Sequence, residues 1–207
     1  MVDSILYHDG SRALQDAFDS RRIADRLELV TTRTSFSDGD RTFVEAAAYF
    51  FLASADRDGR PDVSFKGGVP GFVRLTSPNE LVFPDYDGNG MFRSLGNLSV
   101  NPAVGLLFVD FEKPRRLRVQ GLATVSRTDP LMSATVGAQM IVRIKATAIF
   151  PNCPRYIPTM RLVEPSIYAP RSGVVPLEPA WKTFPEFSGA VPSRRPVATG
   201  DDACNSK

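Results

Sequence analysis

Apolar positions near the start of the chain recur with a helical period. In residues 10–29, GSRALQDAFDSRRIADRLEL, Leu14, Phe18, Ile23 and Leu27 fall four or five apart, with charges of both signs between them. That spacing predicts one amphipathic helix with Ser11 as its N-cap. Residues 31–39 are polar and contain an Asp-Gly pair, which predicts a loop. A short helix is expected over 40–47, with Asp40 as N-cap. From Tyr49 the period changes. YFFLASA, then Asp56-Arg57-Asp58-Gly59, then DVSFK reads as strand, turn, strand. FVRL at 72–75 and ELVF at 80–83 form a second pair across Thr76-Ser77-Pro78-Asn79. GNGMFRSLGNLSVN predicts a glycine-bearing turn and a short helix ending at Asn101-Pro102. Three strands follow: AVGLLFVDF at 103–111, RRLRVQGLATVS at 115–126 and QMIVRIKATAIF at 139–150. In the second, Arg116, Arg118 and Gln120 lie on one face, with Leu117 and Val119 on the other. In the third, Arg143 and Lys145 share a face.

Six or seven strands with short connections and few helices predict a mainly β chain, an antiparallel barrel or sandwich with peripheral helices. Strand–helix alternation of the parallel kind is missing, and no G-x-G-x-x-G follows a strand, which argues against a doubly wound dinucleotide fold. Ten of the seventeen prolines fall in residues 151–207, so the chain after Arg171 is expected to run as an extended arm over the surface, its last dozen residues disordered. The expected organisation is an N-terminal helical segment (1–41) packing on the barrel, a barrel domain (42–170) and a proline-rich arm (171–207).

Composition narrows the function. A hydrophobic fraction of 43% and a charged fraction of 23% over 207 residues match an ordinary globular chain with one sizeable core. A net charge of +2 gives no bulk support for nucleic-acid binding. The charge is uneven: residues 1–40 carry −3 and residues 111–171 carry +7. The basic stretch suits a solvated face, a partner for the acidic N-terminal part, or a surface for a phosphate-bearing ligand. No apolar run reaches the length of a membrane-spanning helix, and no secretory leader is recognisable, so a cytoplasmic setting is expected. Two distant cysteines and one histidine exclude a disulfide framework and a Cys/His zinc site.

For chemistry, a Ser–His–Asp arrangement has only His8 to draw on, and no G-x-S-x-G elbow exists. Cys153, beside Arg155 in NCPRY, is a candidate redox thiol, with a buried small hydrophobe as the alternative. Lys66 ends a strand and precedes Gly67-Gly68. The glycines suit close backbone approach to a ligand and the lysine supplies a point charge for phosphate, although an exposed lysine before a loop reads the same way. The turn Gly88-Asn89-Gly90 leads into a helix N-terminus with Arg93 and Ser94 in its first turn, another arrangement that suits phosphate.

The order of these segments, FFLASADRDGRPDVSFKGG, FVRLTSPNELVFPDYDGNGMFRSLGNLSVNPAVGLLFVDF and RRLRVQGLATVS, resembles the pyridoxamine 5′-phosphate oxidase family over about residues 42–165. IFPNCPRYI looks like the C-terminal signature of one subgroup of flavin-binding relatives. The resemblance implies an antiparallel, Greek-key FMN-binding split barrel and a homodimer holding FMN at the subunit interface. It also implies FMN contacts from Val63, Ser64, Lys66 and Gly67 on the lysine-ended strand, and from Asn89, Arg93, Ser94 and Asn97 at the turn and helix. The second subunit's contribution falls on Arg116 and Arg118, taken as facing the ligand side of the barrel, and on Arg155. The expected function is an FMN-dependent oxidoreductase acting on a small molecule. A deazaflavin-dependent reductase and a non-enzymatic flavin-binding or storage protein are the alternatives. Two departures count against vitamin B6 oxidation itself: Pro61-Asp62 stand where classical members begin the strand with a phosphate-binding arginine, and the classical C-terminal Trp/Arg signature is not recognisable.

Overall fold

The computed structural model describes residues 4–174 and 177–192. The expected disorder of the last dozen residues lies outside that range. The N-terminal periodicity folds as two helices instead of one, α1 (Asp9–Ala17) and α2 (Arg21–Thr31). The break comes at Asp19, whose φ of 49° is left-handed, so the helix cannot continue through it. His8, not Ser11, caps α1, its Nδ1 accepting the Gly10 N–H at 3.2 Å. Ser37, not Asp40, caps α3 (Asp38–Glu45). Asp40 sits at the third helical position and accepts the Ser37 N–H at 2.9 Å, completing a reciprocal capping box. Asp40 is also buried against Arg33 at 2.8 Å.

Seven strands follow: β1 (Tyr49–Ala55), β2 (Pro61–Gly67), β3 (Arg74–Ser77), β4 (Glu80–Tyr86), β5 (Ala103–Asp110), β6 (Arg115–Ser126) and β7 (Ala138–Pro151), with helix α4 (Arg93–Val100) between β4 and β5. They form one antiparallel sheet of order β2-β1-β5-β6-β7-β4-β3. The connection from β4 through α4 to β5 passes over β6 and β7, which is a Greek-key order. The mainly β antiparallel expectation therefore holds.

The sheet curls on itself. β1 and β4 are separated by three strands, yet the Phe50 and Phe83 rings meet edge to face at 5.0 Å. The enclosed core takes alternate residues of the strands other than β2, including Phe50 and Leu52, Leu81 and Phe83, Leu106 and Phe108, and Leu117 and Val119. The register of β6 on β7 shifts at Gln120/Gly121. A Cβ at Gly121 would lie 2.5 Å from the Lys145 carbonyl oxygen, so only glycine fits this close approach. Just before the proline-rich arm Ala169 is buried and Pro170 seats against Gly137, and two short 3₁₀ turns at Ala180–Thr183 and Pro185–Phe187 are the helical elements described in the arm. No helix among the described residues is long and apolar enough to cross a membrane.

Candidate functional site

β2 lies at one edge of the sheet and shows two faces. Lys66, Ser64 and Asp62 stand opposite Phe50, Leu52 and Ser54, all three of which are buried. Side chains 62, 64 and 66 therefore share the barrel side, and Val63 and Phe65 share the outer side, 68% and 62% exposed. α4 packs against β1, β2 and β6, burying Ser94, Leu95 and Leu98. Its N-cap, Phe92, is left-handed at φ 47° and offers no side-chain acceptor. The first N–H groups of α4 consequently have no capping side chain.

These elements bring the predicted phosphate residues together. Ser94 Oγ donates to Ser64 Oγ at 2.8 Å. Arg93 Nε lies 3.4 Å from Asp62 Oδ1, and Ser94 Oγ lies 3.5 Å from Asp62 Oδ2. Lys66 Nζ reaches Asp85 Oδ1 at 3.9 Å, spanning from β2 to β4. Burial pushes the Asp85 carboxyl above its ordinary range, against the pull of the Lys66 charge and with a further push from Asp87. The corner thus holds two cations, two hydroxyls, a helix N-terminus and two carboxylates. Its donors fit a phosphate group: the hydroxyls converge, and Arg93, 63% exposed, can turn from Asp62 toward an anion. Asp62 and Asp85 were not singled out as site residues by the sequence. Asp62 was visible only as a departure from the family pattern, and Asp85 as a charge inside the apolar run ELVFPDY.

The remaining predicted residues fall in other places. Asn97 donates to Ser54 Oγ at 3.1 Å, tying α4 to β1. Asn89 Oδ1 accepts the Met91 N–H at 3.1 Å and shapes the turn before α4. Gly67 closes β2. Gly68, read as a place of ligand approach, has a packing reason: a Cβ there would meet the Phe72 ring at 2.5 Å. Arg118 and Arg116 do not point into the barrel. Their strand neighbours Leu117 and Val119 fill the core, so both arginines belong to the outer face. That face continues across Leu107, Phe51, Val63 and Phe65. Arg116 Nε is buried without a hydrogen-bond partner among the described residues. Arg155 is exposed, two residues past Cys153, which is also exposed and not the buried hydrophobe its type favours. The acidic N-terminal and basic 111–171 segments meet in one ion pair among the described residues, Arg115 with Asp40 at 4.0 Å.

A second feature adjoins the corner. Asn89, Met91, Trp181 and Phe187 line a cavity of about 510 Å³ between the turn before α4 and the C-terminal arm. Lys182 pins the arm there through Asp87 at 2.6 Å, and Trp181 packs edge to face on Phe187 at 5.5 Å.

A family model described as pyridoxamine 5′-phosphate oxidase matches residues 36–167. No curated protein matches the sequence significantly. Among solved structures, HupZ of Group A Streptococcus is 18% identical with a TM-score of 0.46, covering 56% of this chain and 93% of its own. An FMN-binding protein from Syntrophomonas wolfei is 11% identical with a TM-score of 0.42, covering 69% of this chain and 96% of its own. HutZ, the heme storage protein from Vibrio cholerae, is 16% identical with a TM-score of 0.42, covering 56% and 95%.

Proposed function

The chain belongs to the pyridoxamine 5′-phosphate oxidase family, and from that premise we propose that it is an FMN-binding flavoprotein that works as an oxidoreductase on a small molecule. The observation that carries this reading is the corner itself. Ser64 and Ser94 hydroxyls stand 2.8 Å apart at the N-terminus of α4, flanked by Lys66 and Arg93. FMN, which the family commonly binds, would supply hydride chemistry from its ring, while the protein binds, orients and tunes it. Lys66 and Arg93 would hold the phosphate as charge-assisted donors, and the two serines and the α4 N–H groups would complete its shell. The cavity beside Met91 and Trp181 offers an apolar wall where a substrate could lie and water is displaced.

The outer face supports a homodimer with FMN at the subunit interface. Tyr49, Phe65 and Phe111 stack there, with Tyr49 5.3 Å from Phe65 and 6.4 Å from Phe111, and Val63 and Phe65 remain exposed. Arg116 and Arg118 lie on that face, on the opposite side of the sheet from Lys66. In this reading they serve the partner's site and not their own. Arg155, on the exposed loop, is assigned with them.

Cofactor extraction with mass spectrometry should yield FMN from the purified protein. Lys66→Ala and Arg93→Ala should each weaken FMN binding by roughly one to two decades, as loss of a charge-assisted contact of about 1.5–3 kcal/mol implies. Riboflavin, which lacks the phosphate, should bind more weakly by at least the same factor. Equal affinity for riboflavin and FMN, or a different cofactor in the extract, would overturn the reading.

A further inference from the structure

A second cleft, separate from the corner and from the arm cavity, has an unusual charge balance. It measures about 190 Å³ and is walled by the β2–β3 loop at Val69–Phe72, by Arg74 of β3, Tyr86 of β4, the turn at 134–136 before β7, and Pro170-Arg171. No carboxylate lines it. Among the described residues, neither Arg74 nor Arg171 meets an acidic side chain within ion-pair distance. Arg143, by contrast, contacts two carboxylates. Arg74 is half-buried and spends one N–H on Thr135 Oγ1 at 3.0 Å. A guanidinium carries five N–H donors, so most of its capacity stays open.

The cleft is positioned by its own contacts. Thr135 donates to the Leu131 carbonyl at 2.7 Å, which fixes the hydroxyl that orients Arg74. Gly137, at φ 79°, lets Pro170 seat against this turn, since a Cβ there would lie 2.5 Å from the proline ring. Arg171 is thereby carried to the rim, where its backbone pairs with Val174. Burial pushes the Tyr86 hydroxyl up to about 12, so it remains a hydrogen-bond donor at neutral pH. Pro70, Phe72 and Val136 supply an apolar floor. A half-buried guanidinium without a counter-ion gains most from an anion, because charge-assisted bonds strengthen where water is partly excluded.

We propose that this cleft binds a small carboxylate- or phosphate-bearing molecule, whose anionic group bridges Arg74 and Arg171 while a short carbon portion rests on Pro70, Phe72 and Val136. The volume is smaller than the roughly 300–1,000 Å³ of drug-sized sites, which restricts the ligand to a few carbon atoms beyond the anionic group. This site does not depend on the flavin reading.

The test is phenylglyoxal labelling of the full chain, mapped arginine by arginine by mass spectrometry, alone and with inorganic phosphate or succinate. At ten times its dissociation constant an anion leaves about one site in eleven free, so labelling of Arg74 and Arg171 should slow about tenfold with at least one anion. The anion that protects names the class. Arg93 serves as the internal reference for the phosphate corner, so a failure there and a failure here are read separately. In Arg74→Met the protection of the exposed Arg171 should disappear. Unchanged labelling of Arg171 with both anions, or protection of Arg171 that survives in Arg74→Met, overturns the proposal.

Discussion

In the proposed reading, Asp62 sets how strongly the corner attracts a phosphate. It stands beside Arg93 and Ser94 and returns a negative charge to their side of the corner, while the other carboxylate, Asp85, is paired with Lys66. Asp62→Asn keeps the size and removes that charge. FMN affinity should then rise about three- to tenfold, the equivalent of roughly 0.7–1.4 kcal/mol. Titration of the apoprotein with FMN checks this, and unchanged or weaker binding would show that Asp62 does not face the phosphate. At this scale the sequence was informative where the residue type and the local turn agreed. Lys66 at a strand end and Arg93-Ser94 at a helix start needed only local geometry. Asp85 was hidden because its meeting with Lys66 joins β2 to β4, strands that are not neighbours in the sheet.

Among the elements, one side chain ties the β6–β7 connection to the paired strands β4 and β7. Arg143 of β7 donates to Asp129 at 2.6 and 3.0 Å and to Glu80 of β4 at 2.8 Å. The Arg143 hydrogen bond holds the Asp129 carboxyl below its ordinary value of 3.8, against the cost of burial. A carboxyl with a lowered folded-state pKa adds stability that is full above its unfolded value and is lost as pH falls through the folded value. Arg143→Met should therefore cost about 1.5–3 kcal/mol at neutral pH, and the gap from wild type should narrow below pH 3.8, measured by urea unfolding across pH. A gap that is constant in pH would refute the assignment to this pair. The bounds of β6 were legible because alternation is local and it spans the predicted residues 115–126, whereas β3 runs Arg74–Ser77 where 72–75 was expected and β4 continues past the expected residue 83 to Tyr86. The N-terminal break was not, since Leu14, Phe18, Ile23 and Leu27 keep a near-helical spacing. The one interval of five, between Phe18 and Ile23, was the visible sign of the turn at Asp19.

For the whole molecule the deciding question is which side of the sheet faces inward. Alternation divides Leu117 and Val119 from Arg116 and Arg118 but leaves open which pair enters the barrel. That depends on closure, seen in the Phe50–Phe83 contact between strands far apart in sheet order. The arginines lie outside, on a face where Val63 and Phe65 lie exposed, which suits the proposed second copy of the chain. On that proposed dimer face, Phe65→Asp places a charge on the edge strand β2 without touching the core. It should give a monomer of about half the wild-type mass in sedimentation, with unchanged far-ultraviolet circular dichroism. A variant that sediments like wild type would move the interface elsewhere.

Trp181 is the only tryptophan in the chain, and the Lys182–Asp87 bridge fixes it against the turn that leads into α4. The molecule therefore has a built-in optical probe where the described part of the C-terminal arm meets the turn beside the proposed cofactor corner. Indole emits where oxidised flavins absorb, so a flavin arriving at the corner should quench the emission by resonance energy transfer. Release of the arm, as in Lys182→Ala, should instead shift the emission to the red as the ring enters water. Quenching and red shift thus separate cofactor arrival from arm release in unlabelled protein, with a single emitting residue to interpret.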